Sequence, residues 1–225
     1  MTPTDLSGRL AEVNRRIAAA GATPGSVAVV AVTKGHGFWA VKAAIHAGLV
    51  DVGENYSAEL LEKQAELSEM TDSVRWHFLG HVQRNKVRRL APSVHLWQGL
   101  DRRVAGEEIA RRAPGARVLV QVNVSGSRGK NGCGFDEASA LVTALGDLGL
   151  DVRGVMAVGP VDHSEARRAY RRVNALADRL GLVERSMGMS ADLETAVEEG
   201  STMVRIGQAL FGAREARTGD ADLRR

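Results

Sequence analysis

The chain has 225 residues, 44% of them hydrophobic and 25% charged, with a net charge of +3, which is ordinary for a globular domain and excludes a disordered or fibrous chain. No apolar run approaches the roughly 18 residues of a membrane span, and MTPTDLSGRL lacks the basic-then-apolar order of a signal peptide, so a cytoplasmic protein that does not engage membranes is expected. Basic residues are dispersed as arginine pairs such as Arg15-Arg16 and Arg171-Arg172 with few aromatics between them, which argues against a nucleic-acid interface.

Leu6, Leu10, Val13 and Ile17 recur at helical spacing, so an amphipathic helix comes first and ends near Gly21 to Pro24. Val27 to Val32 is a β-branched run that reads as a strand buried on both faces, stopping at Thr33 and Lys34. After the turn Gly35-His36-Gly37, a helix carries Phe38, Val41, Ala44 and Ile45 and stops at Gly48. Leu49 to Val52 is a very short strand running into Gly53-Glu54-Asn55-Tyr56, with Asn55 placed to cap a helix that extends to about Met70. Val74 to Leu79 is the third strand, Val82 to Leu90 the next helix, and Val94 to Trp97 the fourth strand. Asp101 is placed to cap the helix of Val104, Ile109 and Ala110.

Arg117 to Val124 is a fifth strand, and Asn123 to Gly134 should be the longest flexible loop of the chain. Phe135 to Leu145, capped by Asp136, Val152 to Val158, and the stripe Ala166, Ala169, Tyr170, Val173, Leu176, Ala177 and Leu180 give helix, strand and helix. Leu182 to Met187 is a weaker seventh strand. Ser190 is read as the cap of a helix with Leu193, Ala196 and Val197, Met203 to Ile206 as the eighth strand, and a last short helix begins after Gly207. Ala213 to Arg225 has no apolar pattern and reads as a frayed tail. Eight strands, each followed by a helix and joined by short connections, form the pattern of a single-domain α/β fold, the (β/α)8 barrel, over residues 1–212 with a tail at 213–225. An open doubly wound sheet is the alternative.

Barrel chemistry sits at the C-terminal strand ends, which here offer Lys34, Asn55, His77, Asn123, Ser186 to Ser190, and Arg205 with Gly207. The chain uses only five lysines against twenty-five arginines, so a lysine at the mouth of an apolar strand stands out. Partial desolvation there would lower its pKa and free its lone pair, which makes Lys34 a candidate Schiff-base residue; the plain alternative is a side chain that snorkels into water. Ser186, Ser190, Gly207 and Gln208 bring hydroxyls and glycines to helix starts in the two loops where barrels commonly bind phosphate. His77 alone reads as a core histidine as readily as an acid or base. Neither the six histidines nor the single Cys133 has the spacing of a metal site, and Cys133 forbids an internal disulfide.

Across Val27 to Gly212 the chain resembles the YggS/PROSC family of pyridoxal 5'-phosphate homeostasis proteins. The segments that carry the resemblance are Ala31-Val32-Thr33-Lys34, Gly53-Glu54-Asn55-Tyr56, His77-Phe78-Leu79-Gly80 with Gln83-x-Asn85-Lys86, Ser186-Met187-Gly188-Met189-Ser190-x-Asp192, and Gly200 to Gly207 through Phe211-Gly212. The resemblance implies a barrel like the N-terminal domain of alanine racemase, with pyridoxal 5'-phosphate held as an internal aldimine on Lys34. It also implies that Arg205 faces the pyridine nitrogen, that Ser186, Ser190, Gly207 and Gln208 surround the phosphate, and that Asn55 and His77 line the site. Two departures stand out: Gly35-His36-Gly37 replaces a proline-containing turn, which would loosen the loop beside Lys34, and Gln208 stands where the family usually has threonine.

The family implies a non-enzymatic binder that holds, protects and releases the cofactor; apo PLP-dependent enzymes are the expected acceptors, and a monomer is expected. The alternative is a PLP-dependent enzyme such as an amino-acid racemase. A racemase needs acid–base groups on both faces, whereas the two tyrosines, Tyr56 and Tyr170, fall at a helix start and on a helix stripe, and a permanently charged Arg205 would weaken the ring as an electron sink. Lys130, in the loop after the fifth strand, would lie on the same rim as Lys34, where its amine could attract arriving cofactor; otherwise it is a solvated loop charge.

Overall fold

The computed structural model describes residues 3–67, 74–126 and 129–213, so all of the expected tail beyond Ala213 lies outside the described residues. Helix α1 (Pro3–Ala19) precedes the strands β1 (Ala28–Val32), β2 (Asp51–Glu54), β3 (Arg75–Phe78), β4 (Val94–Leu100), β5 (Arg117–Val122), β6 (Asp151–Ala157), β7 (Glu184–Ser186) and β8 (Met203–Ile206). The helices that follow them are α2 (Trp39–His46), α3 (Ser57–Glu66), α4 (Arg84–Leu90), α5 (Arg103–Arg112), α6 (Phe135–Asp147), α7 (His163–Arg179), α8 (Leu193–Glu198) and α9 (Gln208–Phe211). Every strand pairs in parallel with its neighbour in the chain, and β8 closes on β1 from Ala28↔Met203 to Ala31↔Ile206. That closing ladder makes a barrel and eliminates the open doubly wound sheet.

Side chains alternate across each strand, so one set fills the lumen and the other meets the helices. In β1, Val30 joins Leu96, Leu119, Met156 and Met203 inside the barrel, while Val29 and Ala31 belong to the larger core outside it. The lumen is therefore apolar over only part of its length. His77, Gln98, Gln121, Ser186 and Arg205 are all buried; Gln98, Gln121 and Arg205 lie two residues beyond Leu96, Leu119 and Met203 on their strands, and His77 and Ser186 pair in register with Leu96 and Met156. The outer core carries most of the folding free energy, since burying one large aliphatic side chain contributes about 1.5–3 kcal/mol. Leu6, Val13 and Ile17 of α1 are all buried and dock this helix against α8 and α9. Among the described residues no helix is long and apolar enough to cross a membrane.

Helix starts differ most from the sequence reading. Helix α3 begins after Tyr56, not Asn55, and neither residue caps it with a side chain. Helix α5 begins after Arg102; the Asp101 carboxylate instead accepts the Gly132 N–H at 3.2 Å. Helix α6 has Gly134 at its N-cap, whose N–H donates to Glu137 at 2.7 Å, so Asp136 is a first-turn residue and not the cap. Asp162, not singled out in the sequence, caps α7 by accepting the Glu165 N–H. The path of the preceding loop, and not the presence of an acceptor alone, decides which residue caps the helix. The loop after β5 is also less free than its composition suggests. Cys133 N–H donates to Gln121 O and Asn123 N–H to Cys133 O, both at 2.9 Å, which pins its second half to the strand.

Gly154 of β6 carries a sharp packing constraint. A Cβ there would stand 1.9 Å from Glu184 O, a backbone atom of the adjacent strand that cannot step aside. Gly146, inside α6, has nothing within 4 Å of such an atom. Gly154→Ala should therefore cost about 1–3 kcal/mol or more by overpacking. Gly146→Ala should be neutral or stabilise by about 0.5–1 kcal/mol through helix propensity. Urea unfolding of the two variants at unchanged slope reads the difference directly.

Candidate functional site

Lys34 continues the alternation of Val30 and Val32, so it projects from the C-terminal end of β1 on the lumen side, while Thr33 faces outward toward α3. Behind the strand lies a buried ion pair. Lys63 Nζ of α3 is 2.5 Å from Glu54 Oε1, with the two side chains only 5% and 0% exposed. The same ammonium donates to Thr33 O at 2.7 Å, and the Thr33 hydroxyl donates to Glu54 Oε1 at 2.5 Å. Gly35 N–H donates to Glu59 Oε2 at 2.8 Å. Both chain neighbours of Lys34 are thus fastened to α3 and β2. Burial drives the Glu54 carboxyl above its ordinary range, with the charge and hydrogen bond of Lys63 and the hydroxyl of Thr33 pulling the other way.

Arg205 of β8 is the other strong feature. Its guanidinium donates through Nη1 to Ser186 O at 2.6 Å and Ser186 Oγ at 2.7 Å, and through Nη2 to Ala157 O at 2.8 Å. Among the described residues no carboxylate forms an ion pair with it. Burial lowers its pKa, opposed by the negative field of Asp192, but a guanidinium keeps its proton in a protein. The site thus holds a buried cation satisfied by neutral oxygens.

The loop after β7 is fixed by a second buried contact. Tyr170 of α7 donates to Asp192 Oδ2 at 2.5 Å, and Asp192 Oδ1 accepts the Met189 N–H at 2.6 Å. Burial, reinforced by the Asp192 charge, pushes the Tyr170 hydroxyl well above its ordinary range, so it stays a donor. Gly188 sits at φ +91°, where a Cβ would also stand 2.5 Å from Ala196 Cβ; only glycine suits this turn. Ser190 does not cap α8, which starts after Asp192. Its hydroxyl accepts the Ala209 N–H at 3.1 Å, tying the loop after β7 to the first turn of α9. Helix α1 braces the same region: Arg16 donates to Ser190 O and pairs with Glu194, and Arg9 donates to Leu210 O.

The residues singled out in the sequence therefore fall into three places. A cavity of about 330 Å³ at the mouth brings Lys34 together with His36, Gly207 and Gln208. Ser186, His77 and Arg205 lie deeper, in the polar part of the lumen, with the Ser186 hydroxyl engaged by Arg205 and Gln98. Asn55 lies at the end of β2, its Oδ1 buried and without a hydrogen-bond partner among the described residues. Lys130 is exposed on a second cavity of about 320 Å³, shared with Gln121 and Asn123. The Gly35-His36-Gly37 turn is not loose: His36 is buried, with ring centroids 5.5 Å from Trp39 and 5.6 Å from Phe211. Cys133 is also buried, which pushes its thiol pKa up to about 11 and makes it a poor nucleophile.

Sequence reasoning missed Lys63, Glu59, Gln98 and the hydroxyl of Tyr170, and it named Asp192 without a role. For Gln98 a signal existed: a polar residue two positions after Leu96, among Leu96, Trp97 and Leu100, marks an inward polar site. Among the described residues no group of three or more His, Cys, Asp or Glu could hold a metal ion.

Comparison with known proteins places this geometry in context. Residues 9–215 match the model of the alanine racemase N-terminal domain. The chain is 40% identical over 214 residues to the pyridoxal phosphate homeostasis protein of Pseudomonas aeruginosa, covering 91% of this chain and 92% of that one. It is 36% identical over 229 residues to the protein of the same name from Escherichia coli, covering 94% and 97%. PipY of Synechococcus elongatus, solved with PLP bound, superposes with a TM-score of 0.82 at 30% identity, covering 92% of this chain and all of that one.

The bracing behind Lys34 has a measurable consequence. Lys63→Met would leave the Glu54 carboxylate buried without its cation and should cost about 3–5 kcal/mol in urea unfolding. The double variant Lys63→Met/Glu54→Leu removes both charges and should recover most of that loss. A single-variant cost below about 1 kcal/mol would show that the pair does not hold the strand end.

Proposed function

The chain belongs to the family of pyridoxal phosphate homeostasis proteins, and from that premise we propose that it binds pyridoxal 5'-phosphate at the C-terminal mouth of its barrel and holds it for release, without turnover of its own. The observation that carries this reading is the buried Arg205 guanidinium, which neutral oxygens alone satisfy, at the same end of the lumen as Lys34. A buried cation of this kind is stabilised by a ligand that offers a lone pair or negative charge. When bound, the cofactor supplies an aldehyde that condenses with an amine, a ring nitrogen that accepts a hydrogen bond, and a phosphate.

The residues present suit those three groups. Lys34, held by the Thr33 and Gly35 contacts, offers the amine. Arg205 offers a fixed donor for the ring nitrogen. Gly207 and Gln208, beside Lys34 in the mouth cavity, offer backbone and side-chain amide groups to the phosphate. The Ser190 hydroxyl, already an acceptor for Ala209 N–H, keeps its own proton to donate, whereas Ser186 serves the arginine. Tyr170 is committed to Asp192 and Tyr56 is 58% exposed at the head of α3, so neither supplies the second acid–base group that racemisation requires. We read the chain as a monomer that passes cofactor to apo PLP-dependent enzymes in the cytoplasm.

Borohydride treatment of the loaded protein followed by peptide mapping should place a phosphopyridoxyl group on Lys34, and Lys34→Ala should abolish it. Pyridoxal, which lacks the phosphate, should bind at least ~100-fold more weakly than pyridoxal 5'-phosphate, because several charge-assisted contacts of roughly 1.5–3 kcal/mol each are lost. Labelling confined to another lysine, or equal affinity for the two compounds, would refute the assignment.

A further inference from the structure

Four further side chains connect Arg205 to the opposite end of the lumen. Arg205 Nη1 donates to Ser186 Oγ at 2.7 Å, and Ser186 Oγ lies 2.7 Å from Gln98 Oε1. Gln98 Nε2 lies 2.7 Å from His77 Nδ1, and His77 Nε2 lies 2.9 Å from Asp51 Oδ1. His77, Gln98, Ser186 and Arg205 are buried, so each bond is made in a medium that penalises a mismatch of donor and acceptor.

The direction of every bond follows from the two ends. A guanidinium can only donate, so Ser186 Oγ accepts from Arg205 and directs its own proton to Gln98 Oε1. The Gln98 amide is thereby oriented with its NH₂ toward His77, so His77 Nδ1 must be the acceptor. That leaves the proton of the neutral ring on Nε2, facing Asp51. The far end is consistent with this polarity: burial pulls the Asp51 carboxyl up, but Arg75, bidentate on it at 2.7 and 2.6 Å, helps hold it below its ordinary range, so it remains an acceptor. The other charged or titratable groups near the ring are Arg75, bidentate on Asp51, and His95, whose ring lies 6.0 Å from that of His77 and is bonded to Arg117.

We propose that Asp51, His77, Gln98 and Ser186 form a one-way hydrogen-bond relay through the barrel that orients the Arg205 guanidinium toward the ring of bound cofactor. His77 is then a positioning residue fixed as its Nε2–H tautomer, and it does not itself touch the cofactor. The relay's role toward the cofactor rests on the binding function proposed above; its polarity does not.

Nitrogen-15 NMR of the cofactor-free protein, labelled at histidine, reads the polarity directly. The expected His77 signature at neutral pH is a protonated Nε2 with a lone pair on Nδ1. An Nδ1–H tautomer or a doubly protonated ring overturns the relay. Gln98→Leu removes both the Ser186 acceptor and the His77 donor and should weaken pyridoxal 5'-phosphate binding about tenfold. Gln98→Glu keeps an acceptor for Ser186, so it should bind within about threefold of the native protein while His77 takes a second proton on Nδ1. Equal losses in the two variants, or none in either, would overturn the positioning role. If Gln98→Leu does not fold, the native tautomer and the Gln98→Glu pair of readings decide the question. Failure of the native protein to bind cofactor would count against the binding function and leave the tautomer result standing.

Discussion

A buried guanidinium whose hydrogen bonds go to neutral oxygens is the constraint from which most of the lumen follows. Arg205 gives two donors to Ser186 and one to Ala157 O, and none to a carboxylate among the described residues. Desolvating a cation costs several kcal/mol unless its protons are taken up, and a carboxylate in direct contact would cancel the charge a ligand needs to meet. The lumen meets both requirements by turning polar around β8. Ser186 accepts from Arg205, Gln98 accepts from Ser186, and His77 and Asp51 end the chain. Val30, Leu96 and Met156, level with Arg205, His77 and Ser186 in the strand register, join Leu119 and Met203 as the apolar wall beside this network.

Lys34 depends on the opposite face of the same sheet. Because strand side chains alternate, a residue that points into the lumen has neighbours that point out, and those neighbours are where a lysine can be held without blocking it. Lys63, Glu54 and Glu59 grip Thr33 O and Gly35 N–H from the helix side. The scarcity of lysine in this chain thus has two faces: one lysine is presented at the mouth, and another sits in a buried pair behind it. A compact ammonium suits the second position because it reaches a carbonyl and a carboxylate at once from a helix packed close to the strand.

The barrel was legible from local pattern alone, since alternating strand and helix signals with short connections admit few topologies. The strand-end positions of Lys34, Arg205 and Gly207 were legible for the same reason. What could not be read is whatever depends on register between distant strands. Ser186 and Gln98 are 88 residues apart, and Arg205 meets Ala157 across 48; no periodicity announces either contact. Ser190 illustrates the limit: as a serine ahead of an apolar run it resembles a helix cap, but the chain turns so that Asp192 precedes the helix and the hydroxyl reaches the first turn of α9. Tyr170 looked like one more member of an apolar stripe, and only the fold brings Asp192 to its hydroxyl.

The most direct test is the protonation state of the cofactor's ring nitrogen in the loaded protein, measured by nitrogen-15 NMR with ring-labelled pyridoxal 5'-phosphate. A permanently charged donor at Arg205 requires that nitrogen to offer a lone pair, so the predicted signature is an unprotonated ring nitrogen that shifts when Arg205 is replaced by Glu. A protonated nitrogen in the native protein, unaffected by Arg205→Glu, would contradict the placement of the cofactor against the buried guanidinium.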